Sequence, residues 1–322
     1  MTLSERVLLI AAICLAGLAS AQPRYPDKTI RMVVPLAAGS AVDNAMRIVT
    51  ERMAENMGQA IAIENQPGAA GLIGAERVAK AAADGYTIGG FNDSIMTMLP
   101  NLYAKMPWDI MKDFEPVSLV ATVEWGLVAT GDSPYRTAAD LIAAAKASPG
   151  KINYGSGGNG SPQHVAMELF AATAGISLTH VPYKGATQAA VGVAAGEVQV
   201  AFQGLATVTG LVKSGKLRLL AVTTPRRMPM FPEVPTVSES GLPGFEFNSW
   251  ATIVAPAGTP KQIVSFLNAE VVRALTAPDV RDKLIAQGLT PRGSTTEELA
   301  QATREQLARY AGLMKQAGIK VE

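Results

Sequence analysis

Alternation is the feature that most limits what this chain can fold into. Short apolar, β-branched segments take turns with segments whose apolar residues recur at helical spacing. TIRMVV (29–34) reads as a buried strand, and NAMRIVTERMAENMG (44–58) as a helix closed by Gly58. AIAIEN (60–65) is a strand, AAGLIGAERVAKAAA (69–83) a helix, and YTIGGFN (86–92) a strand entered through the turn Asp84-Gly85. A long β-rich stretch (118–130) precedes further units: a helix at 137–150, a strand at 151–156, a helix at 161–175, and strands at 179–183, 198–204 and 217–223 around a helix at 186–196. The last helix begins at Thr295, with Glu298 completing a capping box. This order predicts α/β layers built on mostly parallel sheets.

The chain has room for two domains. Strand, small-residue loop and helix occur together at 30–58 and again at 151–175, which suggests two similar lobes. Residues 225–249 carry Pro225, Pro229, Pro232, Pro235 and Pro243 without periodicity and read as an irregular connection. The expected division is residues 22–123 with 250–322 as lobe one and 124–249 as lobe two.

Residues 1–21 read as a cleaved secretory signal: a polar start with Arg6, an apolar run too short to span a bilayer, and the small-residue motif Ala19-Ser20-Ala21. Cys14 falls inside that run, after Ile13, which is the wrong place for lipid attachment. The expected mature chain has no cysteine, and a core of this size needs no disulfide. A net charge of +1 argues against a nucleic-acid surface. The expectation is an exported, periplasmic monomer.

Function rests on the small-residue loops. LAAGSAV (36–42) offers no lysine for a phosphate and no cysteine or histidine for a metal. A loop between a strand end and a helix start presents backbone N–H groups and the positive end of a helix, which together favour an anion. Ligands of open α/β sheets bind at that edge. Two such loops on facing lobes could grip a dicarboxylate at both ends. Asp43, in a first helical turn, serves the helix rather than the ligand.

Other motifs compete. Gly155-Ser156-Gly157-Gly158-Asn159-Gly160 matches the dinucleotide fingerprint, between a strand and a helix, and would support an NAD(P)-dependent oxidoreductase. The next strand offers His180 and Lys184 where the ribose needs an acid. Gly210–Lys216 resembles a phosphate loop, but Leu217 replaces the required hydroxyl residue. Neither Ser156 nor Ser161 has the glycine two residues earlier that a nucleophile elbow needs. Two histidines, His164 and His180, exclude a histidine-rich zinc site by count. No cofactor, no metal and no catalysis are expected.

Several segments together resemble the Bug-type periplasmic receptors of tripartite tricarboxylate transporters. They are Pro35 with Gly39, Asp43 and Arg47; ENQPGAAGLIGAERVAKAAADGYT; GSGGNGSPQH; HVPYKG; GKLRLLAVT; FPEVPTVSESGLPGFE; APAGTP; and the closing AGIKVE. The resemblance implies a two-lobed periplasmic-binding-protein type II fold. It implies capture of a small carboxylate, largely by backbone amides, and delivery to membrane transporter subunits. A receptor that reports to a sensor protein is the other role for the same fold. The chain departs from the family pattern at Ser40-Ala41-Val42, at Phe91-Asn92-Asp93-Ser94 and at Glu124-Trp125.

The residues expected at the ligand are Leu36, Gly39, Ser40 and Ala41 in the first loop and Asn92, Asp93 and Ser94 after the third strand. From the second lobe come Ser156, Gly157, Asn159, Gly160, Ser161, His164, Tyr183, Gly185 and Gln203, with Trp250 at the return crossing. Asp93 facing the cleft would select a solute carrying both an amine and a carboxylate. Trp125 and Trp250 would pack its body.

Overall fold

The computed structural model describes residues 25–319. The expected signal segment (1–21) and the last residues of AGIKVE lie outside them.

Two sheets carry the fold. The first orders its six strands as β11-β4-β10-β3-β1-β2. These are β1 (Ile30–Val34), β2 (Ile61–Asn65), β3 (Thr87–Asn92), β4 (Phe114–Val123), β10 (Ser249–Pro256) and β11 (Leu289–Pro291). The second orders five strands as β7-β6-β8-β5-β9. These are β5 (Trp125–Thr130), β6 (Asn153–Ser156), β7 (Thr179–Pro182), β8 (Val200–Gly204) and β9 (Leu217–Val222).

Strand direction is more mixed than the spacing predicts. β1 runs parallel to β2 and β3, and β6 parallel to β7 and β8. β10 is antiparallel to β3 and β4, β11 to β4, and β5 to β8 and β9. β5 and β10 are the strands at which the chain arrives from the other sheet, and each lies antiparallel between two neighbours. The long β-rich stretch is two strands, with Glu124 alone between β4 and β5.

The helices follow from stripes and caps. α1 (Ala41–Met57) begins three residues earlier than its sequence pattern, because Ser40 caps it: the Ser40 oxygen accepts the Asp43 amide, and Gly58 closes the helix in the left-handed conformation. Its buried Val42, Ala45, Met46, Val49 and Met53 form a stripe at helical spacing that joins the core. α2 (Leu72–Ala79) follows a short 3₁₀ turn at Ala69–Gly71, and α3 (Leu99–Leu102) a π turn at Ser94–Met98. The second sheet carries α4 (Ala138–Ala147), α5 (Pro162–Ala174), α6 (Ala186–Ala194) and α7 (Leu205–Lys213). α8 (Lys261–Thr276), α9 (Pro278–Ile285) and α10 (Thr296–Ala317) complete the first. The capping box of Thr295 and Glu298 is present.

α5 repeats the design of α1. Its N-cap Ser161 (φ −64°, ψ 157°) matches Ser40 (φ −67°, ψ 160°), it accepts the third helical amide, and a left-handed glycine, Gly175, closes the helix.

Candidate functional site

A cleft lies between the two sheets. One wall is built by Pro35, Leu36, Ala37, Ser40, Ala41, Val42, Asn92 and the loop Pro67–Gly71. The other is built by Gly157, Ser161, Pro162, Gln163, Lys184, Gly185, Ala186, Gly204 and Thr207. Val123, Trp125 and Ser249 close it at the two chain crossings.

Five helices start at this cleft. The N-caps Ser40, Gly71, Ser161, Gly185 and Gly204, of α1, α2, α5, α6 and α7, all line it. A helix start leaves its first amides without intrahelical partners. Ser40 and Ser161 each satisfy one amide with the serine oxygen, at 3.3 Å to Asp43 and 3.4 Å to His164. Their hydroxyl protons stay free to donate. α2, α6 and α7 have no side-chain cap at all. Among the lining residues Lys184 alone is charged, and none is an acid. Amides, helix dipoles, the Ser40 and Ser161 hydroxyls and one ammonium are groups that suit an anion.

Of the sequence-predicted residues, Leu36, Ser40, Ala41, Asn92, Gly157, Ser161 and Gly185 line the cleft. Asn159 and Tyr183 line an outer cavity that shares Gly157 and Lys184 with it and adds Tyr103. Gly39 is not part of the lining; its amide donates to Asp43. Asp43 also accepts from Arg47 and Asn65, so it organises the first loop from below.

The remaining expected contacts point elsewhere. Ser156 is fully buried, 2.6 Å from His180 Nε2 and bonded to Gly158. His164 is buried, accepts the Gly160 amide at Nδ1 (3.1 Å) and stacks on His180 with ring centroids 4.3 Å apart. Burial pushes both imidazoles down to about 4, with the neighbouring His164 adding to the effect on His180. Gln203 is fully buried and donates to the Ala186 carbonyl. Ser94 is fully buried and donates to the Gly160 carbonyl. Trp250 lies across β10 from Ser249 and faces a separate cavity with Thr122, Arg292 and Arg309. Trp125 does line the cleft, anchored by an indole hydrogen bond to Ser249 (2.8 Å).

Asp93 is the main correction. It has no exposed surface, and both carboxyl oxygens lack a hydrogen-bond partner, the nearby Ser94 and Trp250 amides falling outside bonding geometry. Strand alternation puts Asn92 on the cleft, and the chain then turns Asp93 into the interior near Tyr310. Burial raises its carboxyl well above the usual range, which favours the neutral acid. Glu124 also turns from the cleft, accepting from the Thr290 hydroxyl (2.8 Å). No acid is therefore left in the cleft to hold an amine. A raised folded-state value means stability that is full at acid pH and lost as pH rises. Asp93→Asn should accordingly melt a few degrees above wild type at pH 8, with the gap closing toward pH 4. It should leave the ranking of bound acids untouched. Calorimetric melting at both pH values, with a titration panel, checks it.

The sequence reading missed Gln163, Ala186, Thr207 and Lys184, and the loop Pro67–Gly71. The first three are early residues of α5, α6 and α7, so the helix-start rule applied to every helix would have found them. The same rule reaches Gly71, the N-cap of α2, but not the residues before it, because Ala69 and Ala70 adopt left-handed backbone (φ 46° and 53°) that alanine rarely takes.

The family described as "Tripartite tricarboxylate transporter family receptor" (TctC) matches residues 45–319. The chain belongs to this receptor family. Like the rest of the TctC receptors it is a solute-binding protein and not an enzyme. BugT of Bordetella pertussis is 32% identical over 322 residues, covering 98% of this chain and 99% of BugT. Among solved structures, R. palustris Rpa4515 with adipate superposes with a TM-score of 0.89 at 35% identity, over 92% of this chain and 99% of that one. MatC from Rhodopseudomonas palustris with bound malate gives 0.85 at 31% identity, over 90% and 99%. These likenesses establish this TctC receptor as a two-sheet periplasmic-binding-protein fold.

Proposed function

We propose that this TctC receptor captures a small dicarboxylate in the periplasm and hands it to a membrane transporter. In this reading residues 22–123 with 250–322 form one lobe and 124–249 the other, and the lobes close around the crossings near Glu124 and Asn248. One observation carries it: five helix starts from both sheets meet at a cleft whose single charged side chain is Lys184. Amides on the two walls suit a carboxylate at each end of the solute. The adipate and malate bound by the two structural relatives agree with that chemistry. Export rests on the Arg6, apolar-run and Ala19-Ser20-Ala21 pattern.

Titration calorimetry against malate, adipate, citrate and amino acids tests the reading. Dicarboxylates should bind and zwitterions should not, since the cleft has no acid. Ser161→Ala and Ser40→Ala each remove a charge-assisted hydroxyl bond worth about 1.5–3 kcal/mol, so affinity should fall roughly tenfold to a hundredfold. Binding of amines in preference to dicarboxylates, or wild-type affinity in both serine variants, would refute it.

A further inference from the structure

Three side chains bridge the two walls without lining the cleft. Asn44 of α1 donates from Nδ2 to the Ala206 carbonyl of α7 (2.8 Å). Ser94, after β3, donates from Oγ to the Gly160 carbonyl before α5 (3.0 Å). Thr187 of α6 donates from Oγ1 to the Ala38 carbonyl in the first loop (2.9 Å). Each donor and its acceptor lie on opposite sides of the chain crossings, so none of these bonds survives separation of the walls. Each acceptor is a main-chain neighbour of the lining: Ala38 follows Ala37, Gly160 precedes Ser161 and Ala206 precedes Thr207.

We infer that Asn44, Ser94 and Thr187 form a latch that sets the receptor's affinity for every solute it takes, while contacting none of them. The inference rests on the receptor reading above. A solute that binds the closed form has its apparent affinity scaled by the fraction of protein that is closed. On opening, each latch group exchanges its partner for water, and such a bond is worth a factor of about two to ten in the closing equilibrium. Because no latch atom meets the solute, the factor is the same for all solutes. The latch is thus a gain control, separate from the selectivity written into the cleft lining.

The test uses Asn44→Ala, Ser94→Ala and Thr187→Val, singly and together, titrated with malate and adipate. Each single change should weaken both acids by one common factor of about two to ten, and the triple variant by roughly a hundredfold. Small-angle scattering should show the ligand-free triple variant more extended than wild type. Wild-type affinity in the triple variant overturns the latch, as do factors that differ between the two acids. Should loss of buried Ser94 prevent folding, the Asn44–Thr187 double variant carries the same test, since those side chains are less buried. If wild type binds neither acid, the receptor reading fails. The latch then stands or falls on scattering alone, an unchanged radius overturning it.

Discussion

Gly185→Ala should lower solute affinity about 5-fold to 150-fold while leaving the protein folded. Gly185 has an extended backbone (φ 169°, ψ 168°) that alanine adopts freely, so the change brings no backbone strain. The added methyl would sit 2.8 Å from the Ala37 Cβ on the opposite wall and 2.8 Å from Gln188 Oε1. Gln188 is flexible and exposed and can turn away. Ala37 is fixed to the main chain, so the walls must part. Overpacking of this kind costs about 1–3 kcal/mol, charged here to the closed form alone. Calorimetry gives the affinity, and scattering with saturating solute shows whether closure is incomplete. Wild-type affinity in this variant would mean that the cleft does not close as tightly as its walls imply.

The second large effect is an acid-side loss of stability from the two histidines. His164 and His180 stack on each other, and Tyr154 stacks on His180 with centroids 4.8 Å apart. The Tyr154 hydroxyl is bonded to Glu168, whose charge weakly favours the His180 imidazolium. Desolvation is the largest effect on both rings, and it lowers them to about 4. A histidine with a depressed folded-state value binds fewer protons than the unfolded chain between its folded and unfolded values. Its contribution is therefore complete above about pH 6.5 and lost as pH falls toward 4. His164 accounts for roughly 3 kcal/mol over that window, and half-buried His180 for less. Denaturant unfolding at pH 7 and pH 4.5 should show the drop, and His164→Gln should flatten it. A profile that stays flat from pH 7 to 4.5 would mean that the rings are already charged in the fold. Protonation of His164 would also break the bond from the Gly160 amide, which needs an unprotonated Nδ1.

The two lobe-like units and the amide-lined cleft were legible because they depend on short-range grammar: a strand, small residues, a serine cap, an apolar stripe and a closing glycine. Ser40 and Ser161 follow from that grammar. What could not be read was which side of a strand end faces the ligand. Asn92 and Asp93 are adjacent, as are Ser249 and Trp250, and one of each pair faces the cleft while its neighbour faces away. Composition cannot decide between them, because register is set by the partner strands. Ser94 follows the third strand, where the resembled family keeps small polar residues, and His164 opens a helix beside the glycine loop, so both are expected at the ligand. The structure uses them for support, Ser94 between the walls and His164 beneath the glycine loop.

Recognition by helix starts, as proposed above, has a consequence for how such a receptor can change over generations. A main-chain amide is present whatever side chain the codon specifies, proline excepted, so most substitutions in the first turns leave the grip on the anion intact. The walls around it, here Leu36, Val42, Val123 and Trp125, are then free to be enlarged or reduced. A duplicated copy could move to a longer or bulkier acid by changing wall volume alone, without first losing the ability to hold a carboxylate.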